Sequence, residues 1–105
     1  MNMDLSMLEV PASSTPTSSL DPITVFWQNY KQGQGKVTIV AGDAAWSYSF
    51  WAMPEDTIQT FFAKAGIDYL VNKLGNSIYM KKNSRPYLWR VVEAIKNEMT
   101  VRRIS

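Results

Sequence analysis

The chain has 105 residues, 46% hydrophobic and 19% charged, which is enough apolar material for one folded domain and too little length for two. It contains no cysteine and no histidine, which excludes disulfides, thiolate or imidazole metal sites, cysteine nucleophiles and the commonest general base. The formal charge of +2 is unevenly spread: three lysines stand against seven acids up to residue 70, and eight basic residues against two acids from residue 71 onward.

Residues 1–20 read MNMDLSMLEVPASSTPTSSL, and the Ser, Thr, Pro and Ala run from 11 to 19 cannot bury enough surface to offset the entropy of ordering it. The expectation is a disordered tail over 1–20, within which only Met3, Leu5, Met7 and Leu8 could dock, followed by a single domain over 21–105. Asp4 and Glu9 stand where a signal peptide would be basic, and no run approaches the roughly 18 apolar residues of a membrane span. A soluble, cytoplasmic protein without membrane contact is expected.

A strand is predicted over 23–30, with Pro22 before it and with Ile23, Val25 and Trp27 on one side and Thr24, Phe26 and Gln28 on the other. A five-residue polar loop, 31–35, leads into a second strand over 36–41, where Val37, Ile39 and Ala41 share a face. Gly33, Gly35 and Lys36 hint at a phosphate-binding loop. Such a loop needs a Ser or Thr after the lysine and a helix after that, whereas Val37 and a strand follow, so a hairpin loop is the better reading.

Gly42-Asp43 suits a type II′ turn, because glycine adopts positive φ at the first central position without a Cβ clash. The third strand then alternates, with Trp46, Tyr48, Phe50 and Ala52 opposite Ala45, Ser47, Ser49 and Trp51. After Pro54 the period changes. Ile58, Phe61, Phe62 and Ala65 mark one short helix, with Asp56 and Gln59 spaced as a capping box and Gly66 as C-cap; Ile67, Leu70, Val71 and Leu74 mark another, with Asp68 as N-cap and Gly75 as stop. Residues 77–80 could add a brief further strand. Ser84 is placed to cap the longest helix, with Pro86 in its first turn and Leu88, Val91, Val92, Ile95 and Met99 as its apolar stripe.

These elements define an α+β domain: a three-stranded antiparallel meander followed by two short helices and a longer C-terminal helix, packed on one face of the sheet. Glu55 and Asp56 are adjacent carboxylates, but at a helix start the macrodipole explains them, and no nucleophile motif accompanies them. A non-enzymatic protein is therefore expected, with no metal and no cofactor. Trp46, Tyr48 and Phe50 read as core, since only Lys31 and Lys36 are basic in the sheet segments and base stacking wants more. Trp51 lies on the opposite face among small polar residues, where an exposed indole is an anchor for a protein partner. Trp89 flanks the stripe of the last helix and joins the candidate binding residues. Lys81, Lys82, Arg85 and Arg90, with Arg102 and Arg103 beyond them, form the basic region that could meet nucleic acid or an acidic protein surface.

The run from Gly35 through Leu74 carries Val37, Thr38, Ile39, Gly42, Ala45, Trp46, Ser47, Met53, Thr57, Ile58, Phe61, Phe62, Asp68, Tyr69 and Leu70. In this order of parts it resembles a group of small accessory proteins of tailed phages and prophages, and the likeness spans residues 23–74. Phe50 and Trp51 stand where that group carries smaller residues, often glycine. The resemblance implies a phage setting and no catalytic residues. In that setting the expected function is stoichiometric binding that blocks or redirects a host protein or nucleoprotein machine, as inhibitors of CRISPR and restriction systems do. The alternative is a nucleic-acid-binding accessory factor using the basic C-terminal third. Apolar strand faces left over after helix packing could also be covered by a second copy.

Overall fold

The computed structural model describes residues 4–10, 22–75 and 85–101. Four strands, β1 (Asp4–Val10), β2 (Ile23–Lys31), β3 (Gln34–Ala41) and β4 (Ala44–Phe50), form one antiparallel sheet in sequence order. Three helices follow: α1 (Ile58–Lys64), α2 (Ile67–Leu74) and α3 (Arg85–Val101). The α+β class and the three helices agree with the sequence, but the meander has four strands, not three. The extra strand comes from residues 4–10, which composition assigned to a disordered tail. Leu8 and Val10 face the core while Leu5 and Met7 face outward, and the strand is held by pairing along β2 from Asp4↔Asn29 to Val10↔Ile23. An edge strand of this kind is specified by its neighbour, so local composition understates it.

The side-chain alternation places one face of the sheet against the helices. Ile23, Val25 and Trp27 of β2, Val37, Ile39 and Ala41 of β3, and Trp46 and Phe50 of β4 are all buried there. They meet Ile58 and Phe62 of α1, Leu70, Val71 and Leu74 of α2, and Leu88, Val91, Val92 and Ile95 of α3. Trp27 packs edge-on against Phe62, with ring centroids 5.3 Å apart. At about 1.5–3 kcal/mol for each fully buried large side chain, this face carries the hydrophobic stabilisation of the domain. The indole N–H of Trp46 is the one buried side-chain polar group without a hydrogen-bond partner among the described residues.

Two turns set the register. Gly42, at φ 59°, occupies the first position of the β3–β4 turn, and no non-glycine residue among the described residues has positive φ, which fits the type II′ expectation. The β2–β3 connection is tighter than the expected five-residue loop: Lys31 pairs with Gln34 across Gln32-Gly33, with Gly33 at φ 79° and a bulge between Asn29 and Lys31. Gly35, expected in that loop, lies buried in β3 instead. A Cβ there would come within 2.9 Å of both the Gln28 carbonyl and Ile58 Cβ, so glycine is what lets α1 settle on the sheet.

The helix caps also depart from expectation. Thr57, not Asp56, caps α1, its hydroxyl accepting from the Thr60 N–H at 3.2 Å. Asp56 instead accepts from Gln32 Nε2 at 2.9 Å, tying the β2–β3 turn to the segment before α1. Gly66 is the N-cap of α2 and Ala65 closes α1; Asp68 falls in the first turn of α2, while Gly75 ends that helix as expected. Residues 77–80 and Ser84 lie outside the described residues. No helix among the described residues is long and apolar enough to cross a membrane.

Candidate functional site

Cross-strand partners in an antiparallel sheet project to the same side, so the register defines what the second face presents. One row reads Glu9, Thr24, Val40 and Ala45; the next Met7, Phe26, Thr38 and Ser47; the third Leu5, Gln28, Lys36 and Ser49. None of the described helices covers this face. Leu5 is 63% exposed and Met7 56%, with Phe26 exposed beside them, while Thr38 and Ser47 share a long hydroxyl contact of 3.4 Å at its centre. Beyond Ser49, Trp51 is 60% exposed, as its alternation predicts, and its ring stacks on Tyr30 at 5.4 Å and 13°. The stack holds the indole against the surface and leaves its other side to solvent. The face thus has two apolar ends, Leu5-Met7-Phe26 and Tyr30-Trp51, joined by short polar side chains.

The other predicted site residues separate. Trp89 is 38% exposed on α3, and its Nε1–H donates to Asp68 Oδ1 at 3.1 Å, so it clamps α3 to α2. It is distant in role from Trp51, which no hydrogen bond engages among the described residues. Arg90 is exposed, its guanidinium 5.9 Å over the Tyr87 ring. Arg85 is the first residue of α3; Lys81, Lys82, Arg102 and Arg103 lie outside the described residues. Lys96, also basic and on α3, turns back to the protein. Its Nζ donates to the carbonyls of Phe62, Ala63 and Ala65 at 3.0, 2.9 and 2.6 Å, satisfying the C-terminal end of α1. Burial pulls its pKa below the usual lysine value of 10.5.

One buried polar network escaped the sequence reading. Asn29 is the fourth member of the inward stripe Ile23, Val25, Trp27, and its Oδ1 accepts from the Ile58 N–H at 2.7 Å, one of the orphan donors at the start of α1. Its Nδ2 donates to Gln59 Oε1 at 2.9 Å, and Gln59 Nε2 donates to Ser6 Oγ at 2.8 Å. β1, β2 and α1 are joined through this chain. A groove of about 550 Å³ opens beside it, lined by Met7, Trp27, Gln59, Lys64, Lys96 and Met99 among others.

A second concavity lies at the other edge of the sheet. Tyr48, Phe50, Phe61, Tyr69 and Lys73 line a notch of about 370 Å³ that Trp51 borders. Phe50 packs on Phe61 at 4.9 Å and Phe61 meets Tyr69 at 6.1 Å, while Lys73 Nζ sits 5.9 Å from the Tyr48 ring centre and 5.6 Å from that of Tyr69. This aromatic cluster is continuous with the edge of β4. Alternation revealed Tyr48 and Phe50, but the approach of Tyr69 and Lys73 depends on how α2 docks.

These features define a class: a small α+β domain built on a meander sheet that is packed on one face and open on the other. The chain belongs to the phage family Phage_phiTE_072, described simply as a phage family, whose model matches residues 6–104. The match includes all of the strands and helices apart from the first residues of β1. No curated protein and no solved structure matches the chain.

Proposed function

We propose that this phage protein is a non-enzymatic binding protein that attaches to a host protein or nucleoprotein machine in the host cytoplasm and blocks or redirects it, as a host-defence inhibitor of the anti-CRISPR or anti-restriction kind does. The observation that supports the reading is the uncovered sheet face, with Leu5, Met7, Phe26 and Trp51 exposed opposite a fully packed core. Apolar groups spaced on a polar background, with a rigidly stacked Trp among them, suit a protein interface. Membership of a phage family supports looking for the partner in the host.

The nucleic-acid alternative gains less from the described residues. Lys96 is engaged by the α1 carbonyls, and Arg90 is exposed on α3. The test is an affinity capture from host lysate with and without nuclease at two salt concentrations, run in parallel with Trp51→Ala. A discrete host protein that survives nuclease and salt and is lost with Trp51→Ala is the expected result. Nucleic acid alone, released by salt through the counterion effect, would replace this reading with the alternative.

A further inference from the structure

We propose that the free edge of β4 and the aromatic notch beside it form a strand-addition site, which takes an extended peptide segment bearing an aromatic or apolar side chain followed two residues later by an acid. The inference rests on the binding reading above and specifies how a partner chain would attach.

The backbone argument starts at the turn. Ala41 and Ala44 flank a two-residue turn, so they form a hydrogen-bonded pair, and the antiparallel ladder then alternates. Ala44, Trp46, Tyr48 and Phe50 direct their N–H and C=O groups to β3; Ala45, Ser47 and Ser49 direct theirs away from it. Among the described residues β4 is the last strand of the sheet, and those outward groups have no protein partner there. Sheet edges are usually blunted by charge, proline or a bulge. β4 reads AAWSYSF, with no charge and no proline, and its register against β3 runs unbroken from Ala41↔Ala44 to Gly35↔Phe50. The opposite edge differs, since β1 carries Asp4 and Glu9 and is fastened through Ser6 to Gln59.

The side-chain argument concerns what lies under that edge. A strand added beside β4 alternates as β4 does, so its residue opposite Tyr48 points to the helical side of the sheet, into the notch between Tyr48, Phe50, Phe61 and Tyr69. The next residue on the same side meets the other wall, where Lys73 lies over two tyrosine rings and no carboxylate pairs with it among the described residues. A carboxylate there would complete a charge-assisted contact. The same charge argues against a second copy as occupant, because β4 contains no acid to offer Lys73. A nucleic-acid strand would need several phosphate contacts, and among the described residues the notch holds a single cation.

The probe is an end-capped peptide, Thr-Val-Thr-Trp-Thr-Asp-Thr, titrated into the full chain and followed by backbone amide NMR, with sedimentation as a check on self-association. The expected result is binding in which Ala45, Ser47, Ser49, Tyr69 and Lys73 shift most. Ser47→Pro removes one outward N–H while leaving the β3 ladder its donors, and should weaken the peptide about tenfold or more. In case that variant fails to fold, Lys73→Met gives a second reading: weaker binding of the Asp peptide and unchanged binding of its Asn counterpart. Shifts confined to the outer face or to β1, full affinity in both variants, absence of binding at millimolar peptide, or dimerisation through β4 would each overturn the proposal. Host capture that depends on Trp51 but ignores Ser47→Pro would remove this inference and leave the binding reading standing. Peptide binding at β4 with no captured host protein would do the reverse.

Discussion

The two faces of the sheet are built from the same strands, one residue out of step, and they do different work. On the inner face Val25, Val37 and Ile39 have no exposure at all, and aromatic pairs between β2 and α1 and between β4 and both α1 and α3 fill the space between. On the outer face Phe26, Thr38 and Val40, the chain neighbours of those residues, carry a long hydroxyl contact and open apolar surface. The contrast separates stability from surface identity. Because the described helices pack on one face, the other can hold Leu5, Met7 and Trp51 in the open without loosening the fold.

The largest expected effect tests that separation within a single strand. Ile39→Ala, at the centre of the packed face, should destabilise by about 2–5 kcal/mol, the range for a large-to-small change at a site that cannot collapse. Val40→Ala, the next residue on the open face, should cost under about 1 kcal/mol. Urea unfolding of the two variants measures both, and equal losses would mean that the outer face is packed as well.

Next in size is the polar link that fastens β1 and β2 to α1. Asn29→Leu fits a buried position but leaves the Ile58 N–H and the Gln59 Oε1 without their Asn29 partner, which should cost about 1–3 kcal/mol. Because Gln59 also holds Ser6, the β1 amides should lose hydrogen-exchange protection before those of β2 and β3. Uniform loss across the sheet would show that Asn29 acts only through α1.

Lys96 offers a smaller effect and a pH signature. Lys96→Met withdraws the donors from three carbonyls at the end of α1 and should cost about 1–2 kcal/mol. Its pKa in the fold is below 10.5 because burial disfavours the charged form, so on raising pH the folded chain releases this proton before the unfolded chain does. In the window between the lowered value and 10.5 the unfolded state binds more protons, and the Lys96 contribution to stability rises with pH. The Met variant should lack that rise. A rise of the same size in the variant would assign it to another group.

The same contrast explains what was readable in advance. Alternation over 23–30, 36–41 and 45–52 separates the two faces, helical spacing picks out Ile58, Phe62, Leu70, Val71, Leu88, Val92 and Ile95, and glycine chemistry places the Gly42 turn, because each depends on the chain's own near neighbours. β1 was not readable, since its residues become a strand only by pairing with β2 across a segment of Ser, Thr and Pro. Asn29 left a visible sign, a polar residue continuing an inward apolar stripe, but its meaning depends on where α1 begins. Thr57 rather than Asp56 caps that helix because Asp56 is taken by Gln32 from the neighbouring turn. Of the candidate site, the exposure of Trp51 was legible from alternation. The engagement of Trp89 with Asp68, and the notch made by Tyr69 and Lys73 beside β4, arise from helix docking that no local pattern encodes.

The smallest stability effect should come from the residue given the largest role in binding. Trp51→Ala removes a ring that is mostly in solvent and stacked on one side only, so the loss should not exceed about 1 kcal/mol, at the low end for an aromatic pair. No core residue depends on it, because the stack joins it to Tyr30 on the open face and not to the helices. Tyr30 should become more exposed, which tyrosine fluorescence or the rate of nitration would register. A loss of several kcal/mol would mean that Trp51 supports the β4–α1 connection from outside, and diminished host capture by this variant would then reflect a damaged fold. Near-wild-type unfolding together with lost capture would locate the effect at the surface itself.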